Sequence, residues 1–270
     1  MKKVLLVGDI VSHGKIALSS MIPILSNFKL DISNLPTCIV SNTFDYKIAE
    51  LHDLSSYMKN TINIWNDLGF RFDIIVTGFL SNLEQVNIIE ELIEFHDEKP
   101  LIITDPIMGD DGELYHGLPD EIVNYMKEMI NHTDILIPNA TEAALLLDKK
   151  LPKEMTDEIA NKWLEELHDR GIKEIVITSI KVEGRHYVYG IKNTGEKFRV
   201  EYDIVPYKFA GTGDIFASFV TAKIVEGIGI EEAVVFATEK LSSILKKEII
   251  DSDKKVRDVA IEKYLDTINR

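Results

Sequence analysis

A glycine-flanked aspartate stands at the start of an apolar run in the stretch YKFAGTGDIFASFVTA, residues 207–222. Glycine costs a helix about 1 kcal/mol relative to alanine, so we expect Gly211 and Gly213 to lie ahead of the helix rather than inside it. From Ile215 onward, apolar residues recur at helical spacing. A buried helix that begins in a loop with few side chains leaves backbone N–H groups available to bind an anion. The stretch therefore predicts an anion site with the Asp214 carboxylate beside it.

A second carboxylate, Asp105, closes the otherwise apolar run LIITD and begins the stretch DPIMGDDGELY, residues 105–115. Glycine, aspartate and proline form turns for local reasons, which accounts for the GDDG sequence within this stretch. Turn formation does not account for an acid at the end of an apolar strand. We therefore interpret Asp105 as a functional residue.

Asn139 and Glu142 lie three residues apart in PNATEAALLL, residues 138–147, at the head of a predicted helix. This spacing is typical of a capping box, in which the two side chains bond to backbone N–H groups of the first turn. The same geometry turns both side chains toward the end of the preceding strand, where Glu142 can hold a water-ligated Mg²⁺. The capping role and the binding role are compatible.

Short β-branched runs alternate with amphipathic stretches along most of the chain. Continuous apolar strands separated by helices indicate an α/β fold with a parallel sheet that is covered on both faces. The predicted strands are 2–8, 37–41, 72–78, 101–105, 134–138 and 174–179.

The alternation changes in the last third of the chain. Residues 185–202 alternate with period two around Asn193, Thr194 and Gly195, which predicts a β-hairpin. No repeat or long linker interrupts the chain, so we expect one domain over residues 1–270. The remaining helices are predicted at 213–226, 231–247 and 254–268.

In open α/β sheets, ligands bind at the carboxyl ends of the strands. Two carboxylates and several short polar side chains follow the predicted strands directly, so we expect them to meet at one edge of the sheet. The residues at these positions are Gly8, Asp9, Ser41, Asn42, Thr77, Gly78, Phe79, Asp105, Pro106, Pro138, Asn139, Thr178 and Ser179.

Composition narrows the class of partner. The net charge is −15 and the sequence contains no basic cluster, which argues against nucleic acids and acidic membrane surfaces as binding partners. A small polyanionic substrate is still compatible with this negative net charge, because one local site with a divalent metal can override the overall charge. No stretch reaches the roughly 20 apolar residues of a membrane span. The N-terminal apolar run is too short for a signal peptide, and Cys38 has no second cysteine to pair with, so we expect a cytoplasmic protein.

The motifs resemble, in order and spacing, those of the ribokinase-like vitamin kinases. DPIMGDDGELY, PNATEAALLL, VITS and GTGDIFASF carry the resemblance, which is strongest for the pyridoxal/pyridoxine/pyridoxamine kinase branch. GDIVSHGKIALSSMIPIL and residues 68–85 are also similar to the short bacterial pyridoxamine kinases. The resemblance implies a ribokinase-like, mostly parallel sheet with helices on both faces. It also implies ATP-dependent phosphorylation of the 5′-hydroxymethyl group of a B6 vitamer, in a family that is usually dimeric.

The resemblance assigns one group of positions to the nucleotide and a second group to the acceptor. The nucleotide positions are the general base Asp214, the anion hole of Gly211, Thr212 and Gly213, the Mg²⁺-organising Asp105 and Glu142, and the phosphate contacts Asn139, Thr178 and Ser179. The acceptor positions are Asp9, Ser41, Phe44 and Phe79 around the pyridine ring, with Tyr115 in a loop that closes over the site.

The departures from the family pattern fall on the acceptor side. In SNTFDY, residues 41–46, Phe44 and Asp45 replace a threonine and a glycine of many pyridoxal kinases. Asp9 replaces a common serine, and Phe79 replaces a common tyrosine. Two alternatives therefore stay open: a hydroxymethylpyrimidine kinase of the same fold, and a carrier or sensor that binds the vitamin or its phosphate without turnover. Dependence on a monovalent cation is also open, whereas a nicotinamide enzyme is disfavoured because no GxGxxG follows the first strand.

Overall fold

We describe residues 2–249 and 257–268 of a computed structural model. In these ranges, thirteen strands form one large sheet and two small ones. The strands are β1 (Lys3–His13), β2 (Asp31–Asn42), β3 (Leu51–Asp53), β4 (Ile74–Thr77), β5 (Leu101–Thr104), β6 (Gly109–Asp110), β7 (Glu113–Leu114), β8 (Ile135–Leu136), β9 (Glu174–Val182), β10 (Arg185–Ile191), β11 (Lys197–Tyr202), β12 (Phe209–Ala210) and β13 (Arg257–Asp258).

The helices alternate with the strands over most of the chain. They are α1 (Leu18–Asn27), α2 (Ser55–Asp67), α3 (Leu83–Glu94), α4 (Ile122–Met129), α5 (Ala140–Leu146), α6 (Asp157–His168), α7 (Thr212–Val225), α8 (Ile230–Glu248) and α9 (Leu265–Ile268).

The large sheet has the strand order β11-β10-β9-β8-β5-β4-β1-β2-β3. The six strands from β9 to β2 pair in parallel, whereas β10, β11 and β3 are antiparallel additions at the edges. The chain leaves β1 toward β2 on one side and later enters β4 on the other side. This reversal opens a crevice at the carboxyl end of β1, where open α/β sheets bind ligands.

Both faces of the sheet are buried, as the continuous apolar strands predict. On β1, Leu5 and Val7 face a core shared with α2 to α6, whereas Val4 and Leu6 face a core shared with α1, α7 and α8. Successive side chains of a strand point to opposite faces, so one apolar run supplies both cores. The sheet thereby holds its carboxyl edge rigidly between two layers of helices, and the α/β fold class is confirmed.

Several predicted boundaries differ from the structure. The strand β1 continues to His13, with a shift of its register against β2 between Gly8 and Ile10, so Asp9 lies within the strand at a bulge. Gly213 lies in the first turn of α7, whereas only Gly211 lies ahead of it. The predicted β-hairpin is confirmed as β10 and β11.

The predicted helix over 254–268 is wrong for the residues that the structure describes. Residues 254–256 lie outside the described part of the chain. The remainder contains β13, a 3₁₀ turn at Ile261–Lys263 and the four-residue α9. Asp258 pairs in parallel with Ala210, so pairing with β12 replaces a local helix. Across the described ranges, no helix combines the length and the apolarity that a membrane crossing needs.

Candidate active site

A cavity of about 760 Å³ opens at the carboxyl edge of the sheet. Its lining residues run from Asp9 on β1 to Leu241 and Leu245 on α8. Most of the residues predicted for the site line it, namely Asp9, Phe44, Phe79, Asp105, Tyr115, Asn139, Glu142, Thr178, Ser179, Gly211, Thr212, Gly213 and Asp214.

The N-terminus of α7 points its backbone into the middle of this cavity. Gly211 precedes the helix with a φ of 78°, a left-handed conformation that favours glycine. A Cβ at this position would lie 2.4 Å from Cγ2 of Ile16, so only glycine fits without displacing Ile16. Among the described residues, no side chain caps the helix. The backbone N–H groups of Thr212 and Gly213 also donate to no acceptor within the described ranges, which leaves them free for an anion.

Asp214 lies in the first turn of the same helix and is buried at the cavity wall. Its Oδ2 accepts a hydrogen bond of 2.8 Å from the backbone N–H of Ala17. Burial raises the pKa of Asp214 to about 6, and the bond from Ala17 opposes that rise. The carboxylate is therefore mostly ionised near neutral pH and can accept a proton.

Ala17 holds an unusual backbone conformation, with φ at 50° and ψ at −136°. An alanine with this left-handed φ stores strain of roughly 1–3 kcal/mol, which the surrounding packing must offset. Its side chain is buried in the core. The strained turn is what aims the Ala17 N–H at Asp214.

Asp105 follows β5 directly and is only 9% exposed. In the described ranges, no hydrogen-bond donor reaches its carboxylate oxygens. Burial raises the pKa of Asp105 well above its usual range, and the nearby Glu142 and Asp214 carboxylates raise it further. A buried acid with unpartnered oxygens beside two other acids is a site where a cation would be favourable.

Glu142 and Asn139 form the predicted capping box at the start of α5. The Glu142 carboxylate accepts the N–H of Asn139 at 2.8 Å and the N–H of Met108 at 3.2 Å. The Asn139 amide donates to the carbonyl oxygen of Gly109 at 2.8 Å. Burial raises the pKa of Glu142 to about 8, although these backbone bonds oppose the rise. Both side chains thus hold the 105–109 segment, and Glu142 has less freedom to bind a metal directly than Asp105.

These residues fit Mg²⁺ better than a metal that needs a full set of protein ligands. No group of three or more histidine, cysteine or acidic side chains converges on one point in the described ranges. Mg²⁺ keeps several waters and binds through one or two carboxylates together with substrate phosphates. Asp105 supplies an open carboxylate that could hold such an ion.

One part of the cavity is lined by aromatic rings and one buried acid. The Phe44 ring lies 6.3 Å from the Tyr115 ring, nearly parallel to it, and 5.9 Å from the Phe79 ring. Asp9 lies at the bulge of β1, and burial together with the charge of Asp214 raises its pKa to about 7. This end can accommodate a flat ring between aromatic walls, with Asp9 available to a polar or cationic group.

Among the residues assigned to the nucleotide or to the acceptor, Ser41 is the exception, because it does not line the cavity in the described part of the chain. Its neighbours Val40 and Asn42 face the cavity, and successive strand residues face opposite ways. The Ser41 hydroxyl donates to Oδ1 of Asn42 at 2.7 Å and accepts the N–H of Glu50 at 2.9 Å. Its role in this structure is to hold the loop that carries Phe44.

The structure adds residues that the sequence patterns did not indicate. Lys208 lines the cavity and pairs with Asp110, the last residue of β6, at 3.3 Å and with Asp111, in the following turn, at 2.9 Å. Several further residues form a mostly apolar end on the side away from Asp9. These are Val188, Val205, Phe209, Phe216, Thr238, Leu241 and Leu245. Only the hydrophobic periodicity of α8 could have indicated part of this wall.

The chain is similar to known kinases in sequence and in fold. Residues 34–257 match the family described as phosphomethylpyrimidine kinase. A crystal structure from Bacteroides thetaiotaomicron, assigned as such a kinase, is 31% identical, has a TM-score of 0.94, and the alignment covers 100% of this chain and 94% of that one. Another crystal form of that protein contains pyridoxal. A Schizosaccharomyces pombe protein assigned as a pyridoxal kinase is 27% identical over 99% of this chain and 87% of its own length.

Proposed function

The chain belongs to the phosphomethylpyrimidine kinase family, and we propose that it transfers the γ-phosphoryl group of ATP to the 5′-hydroxymethyl group of a B6 vitamer. The acceptor is pyridoxamine, pyridoxal or pyridoxine, and the reaction serves the salvage of pyridoxal phosphate. Relatives assigned as pyridoxal kinases, and the related crystal form that contains pyridoxal, support this choice.

One observation carries the proposal: a free helix N-terminus, a buried base and an open carboxylate lie close together in one cavity. The helix N-terminus is that of α7, the base is Asp214 and the open carboxylate is Asp105. Phosphoryl transfer needs charge neutralisation and in-line placement of the two substrates, with little covalent work from the protein. A protein that only binds a vitamin or its phosphate would not need a base.

Each of these groups has a distinct task in the reaction. Asp214 takes the proton of the acceptor hydroxyl as its oxygen forms a bond to the γ-phosphorus. The bond between the γ-phosphorus and the β–γ bridging oxygen breaks, and ADP leaves. The backbone N–H groups of Thr212 and Gly213 hydrogen-bond to the transferring phosphoryl oxygens. Thr178 and Ser179 at the cavity wall contact the phosphate chain.

Mg²⁺ is the metal that we propose for Asp105, with Glu142 as its water-mediated partner. When bound, Mg²⁺ neutralises charge on the β- and γ-phosphates. Asp105, Glu142 and Asp214 are otherwise three buried acids close to ATP, which itself carries about four negative charges. The adenine ring lies between the apolar residues of α8 and the segment 203–209, at the end of the cavity away from Asp9.

The acceptor ring lies between Phe44, Phe79 and Tyr115, and its polar groups approach Asp9. An ionised Asp9 pairs with the ammonium group of pyridoxamine or with a protonated ring nitrogen, whereas the aldehyde of pyridoxal gains no such charge pairing. This arrangement favours pyridoxamine as the preferred vitamer.

A second candidate acceptor is hydroxymethylpyrimidine, which is also flat and carries a hydroxymethyl group. The description of the matching family and the assignment of the Bacteroides protein favour it. An ATP-consumption assay coupled to ADP formation, run with pyridoxal, pyridoxine, pyridoxamine, hydroxymethylpyrimidine and ribose, separates the candidates. We expect turnover with B6 vitamers and none with ribose. Turnover with hydroxymethylpyrimidine alone would replace the proposal by the second candidate.

Three further predictions belong to this proposal. We propose a homodimer because the vitamin kinases that this chain resembles are usually dimeric. We keep the cytoplasm as the expected location and residues 1–270 as one kinase domain. Size-exclusion chromatography with light scattering checks the first of these.

A further inference from the structure

We infer that Asp258 is a positioning residue for the base Asp214, acting through the turn of residues 14–17. This inference rests on the proposed function, because Asp214 needs a defined position only if it takes a proton from an acceptor. Asp258 lies 44 residues beyond Asp214 in the chain and in none of the motifs that carry the family resemblance.

The turn of residues 14–17 is held at one end by Asp258. The Asp258 Oδ2 accepts the backbone N–H of Lys15 at 2.9 Å. Two residues further along the same turn, the backbone N–H of Ala17 donates to Oδ2 of Asp214 at 2.8 Å. The two carboxylates therefore hold opposite ends of one short turn, one from outside the site and one from inside it.

The same C-terminal segment also pairs with the strand that leads into the anion hole. Asp258 is in register with Ala210, the residue that immediately precedes Gly211. Its neighbours Val259 and Ile261 are fully buried in the core that α1 and α7 share. Asp258 thus belongs to a segment that is anchored in the core, and it contacts the turn beside Gly211. Its position is therefore coupled both to the anion hole at Gly211 and to the turn that holds Asp214.

The turn needs such support because its conformation is strained. Ala17 has a φ of 50°, and Ile16 packs against Gly211 so closely that no side chain fits between them. A strained turn persists only when surrounding contacts determine it, and loss of one contact lets it relax. Relaxation would draw the Ala17 N–H away from Asp214 and leave the carboxylate free to rotate.

The test compares kcat and KM in Asp258→Ala, Asp258→Asn and the matched control Glu262→Ala. Glu262 belongs to the same segment and pairs with the side chain of Lys15 at 2.6 Å, but it does not touch the backbone of the turn. We expect Asp258→Ala to lower kcat about ten- to a hundredfold, the scale for displacing a positioned group, with KM for ATP within about threefold. Asp258→Asn keeps an oxygen acceptor for the Lys15 N–H, so it should restore most of kcat, and Glu262→Ala should match the wild type.

A double-mutant cycle with Asp214→Asn separates positioning from general destabilisation. If Asp258 acts through Asp214, Asp258→Ala should add less than about a twofold loss once Asp214 has been replaced. An equal loss in both backgrounds, or wild-type kcat in Asp258→Ala, would overturn the inference.

A second readout does not depend on turnover. Amide hydrogen exchange of Ala17 in the ligand-free, full 270-residue chain should be at least about tenfold faster in Asp258→Ala than in the wild type and in Glu262→Ala. Unchanged exchange contradicts the inference about Asp258. Failure of the wild type to phosphorylate any acceptor contradicts the proposed function instead.

Discussion

Replacing Gly211 by alanine tests whether the anion hole depends on the close approach of two loops. At a φ of 78°, an L-residue costs roughly 1–2 kcal/mol because its Cβ crowds the following carbonyl oxygen. The new Cβ would also lie 2.4 Å from Cγ2, 3.0 Å from Cβ and 3.2 Å from Cα of Ile16. Ordinary carbon contacts are about 3.5–4.0 Å, so the Ile16 backbone must move, at a further cost of about 1–3 kcal/mol. We therefore expect Gly211→Ala to lower the free energy of unfolding by about 2–5 kcal/mol.

Gly227 provides a matched control at the other end of α7. Its φ is 84°, and a Cβ there would meet nothing within 4 Å. Gly227→Ala should therefore show only the backbone cost of about 1–2 kcal/mol and keep wild-type turnover. Gly211→Ala should also lower kcat, because movement of Ile16 carries with it the neighbouring Ala17 N–H that binds Asp214.

Urea unfolding gives both free energies, and steady-state kinetics gives kcat. Equal losses of stability in Gly211→Ala and Gly227→Ala would show that the contact with Ile16 is unimportant. Wild-type kcat in a folded Gly211→Ala variant would refute the link between this contact and the base.

Four other changes test the acids of the cavity. Asp214→Asn should retain ATP binding and lose at least about 10²-fold in kcat, the scale for removing a positioned base; near-wild-type turnover would exclude Asp214 from proton transfer. Excess EDTA should abolish turnover, and Asp105→Asn should raise the Mg²⁺ concentration needed for half-maximal activity; full activity in EDTA would contradict the metal site. Burial raises the pKa of Asp9 from 3.8 to about 7. The buried side chain is tolerated while it is protonated, so the free energy of unfolding falls as the pH rises from about 4 to about 7. Asp9→Asn should therefore stabilise the ligand-free chain by an amount that grows between pH 4 and pH 7, to at most about 4 kcal/mol, and then stays level; a gain independent of pH would contradict this.

Local patterns in the sequence were sufficient for the elements and for the edge of the sheet that carries the site. Apolar runs alternating with amphipathic stretches predict a doubly covered parallel sheet, because the period of a strand or helix depends on near neighbours. The capping box of Asn139 and Glu142 follows from a spacing of three residues and is present as predicted. Residues at the ends of parallel strands must share one edge, which is why Asp105 and Glu142 could be placed together.

Other features depend on residues that are distant in the chain, and only the tertiary structure decided them. The strand β1 continues past Asp9 because it pairs with β2 through a bulge, and Ser41 faces away from the cavity because of the strand's alternation. The partner that holds Asp214 is Ala17, 197 residues earlier in the sequence. No periodicity or propensity encodes that contact, since it exists only when packing brings α7 against the turn before α1. Gly211 is subject to both a local and a tertiary constraint. Its φ is a local requirement of the helix start, whereas the contact with Ile16 that excludes any side chain arises from the fold.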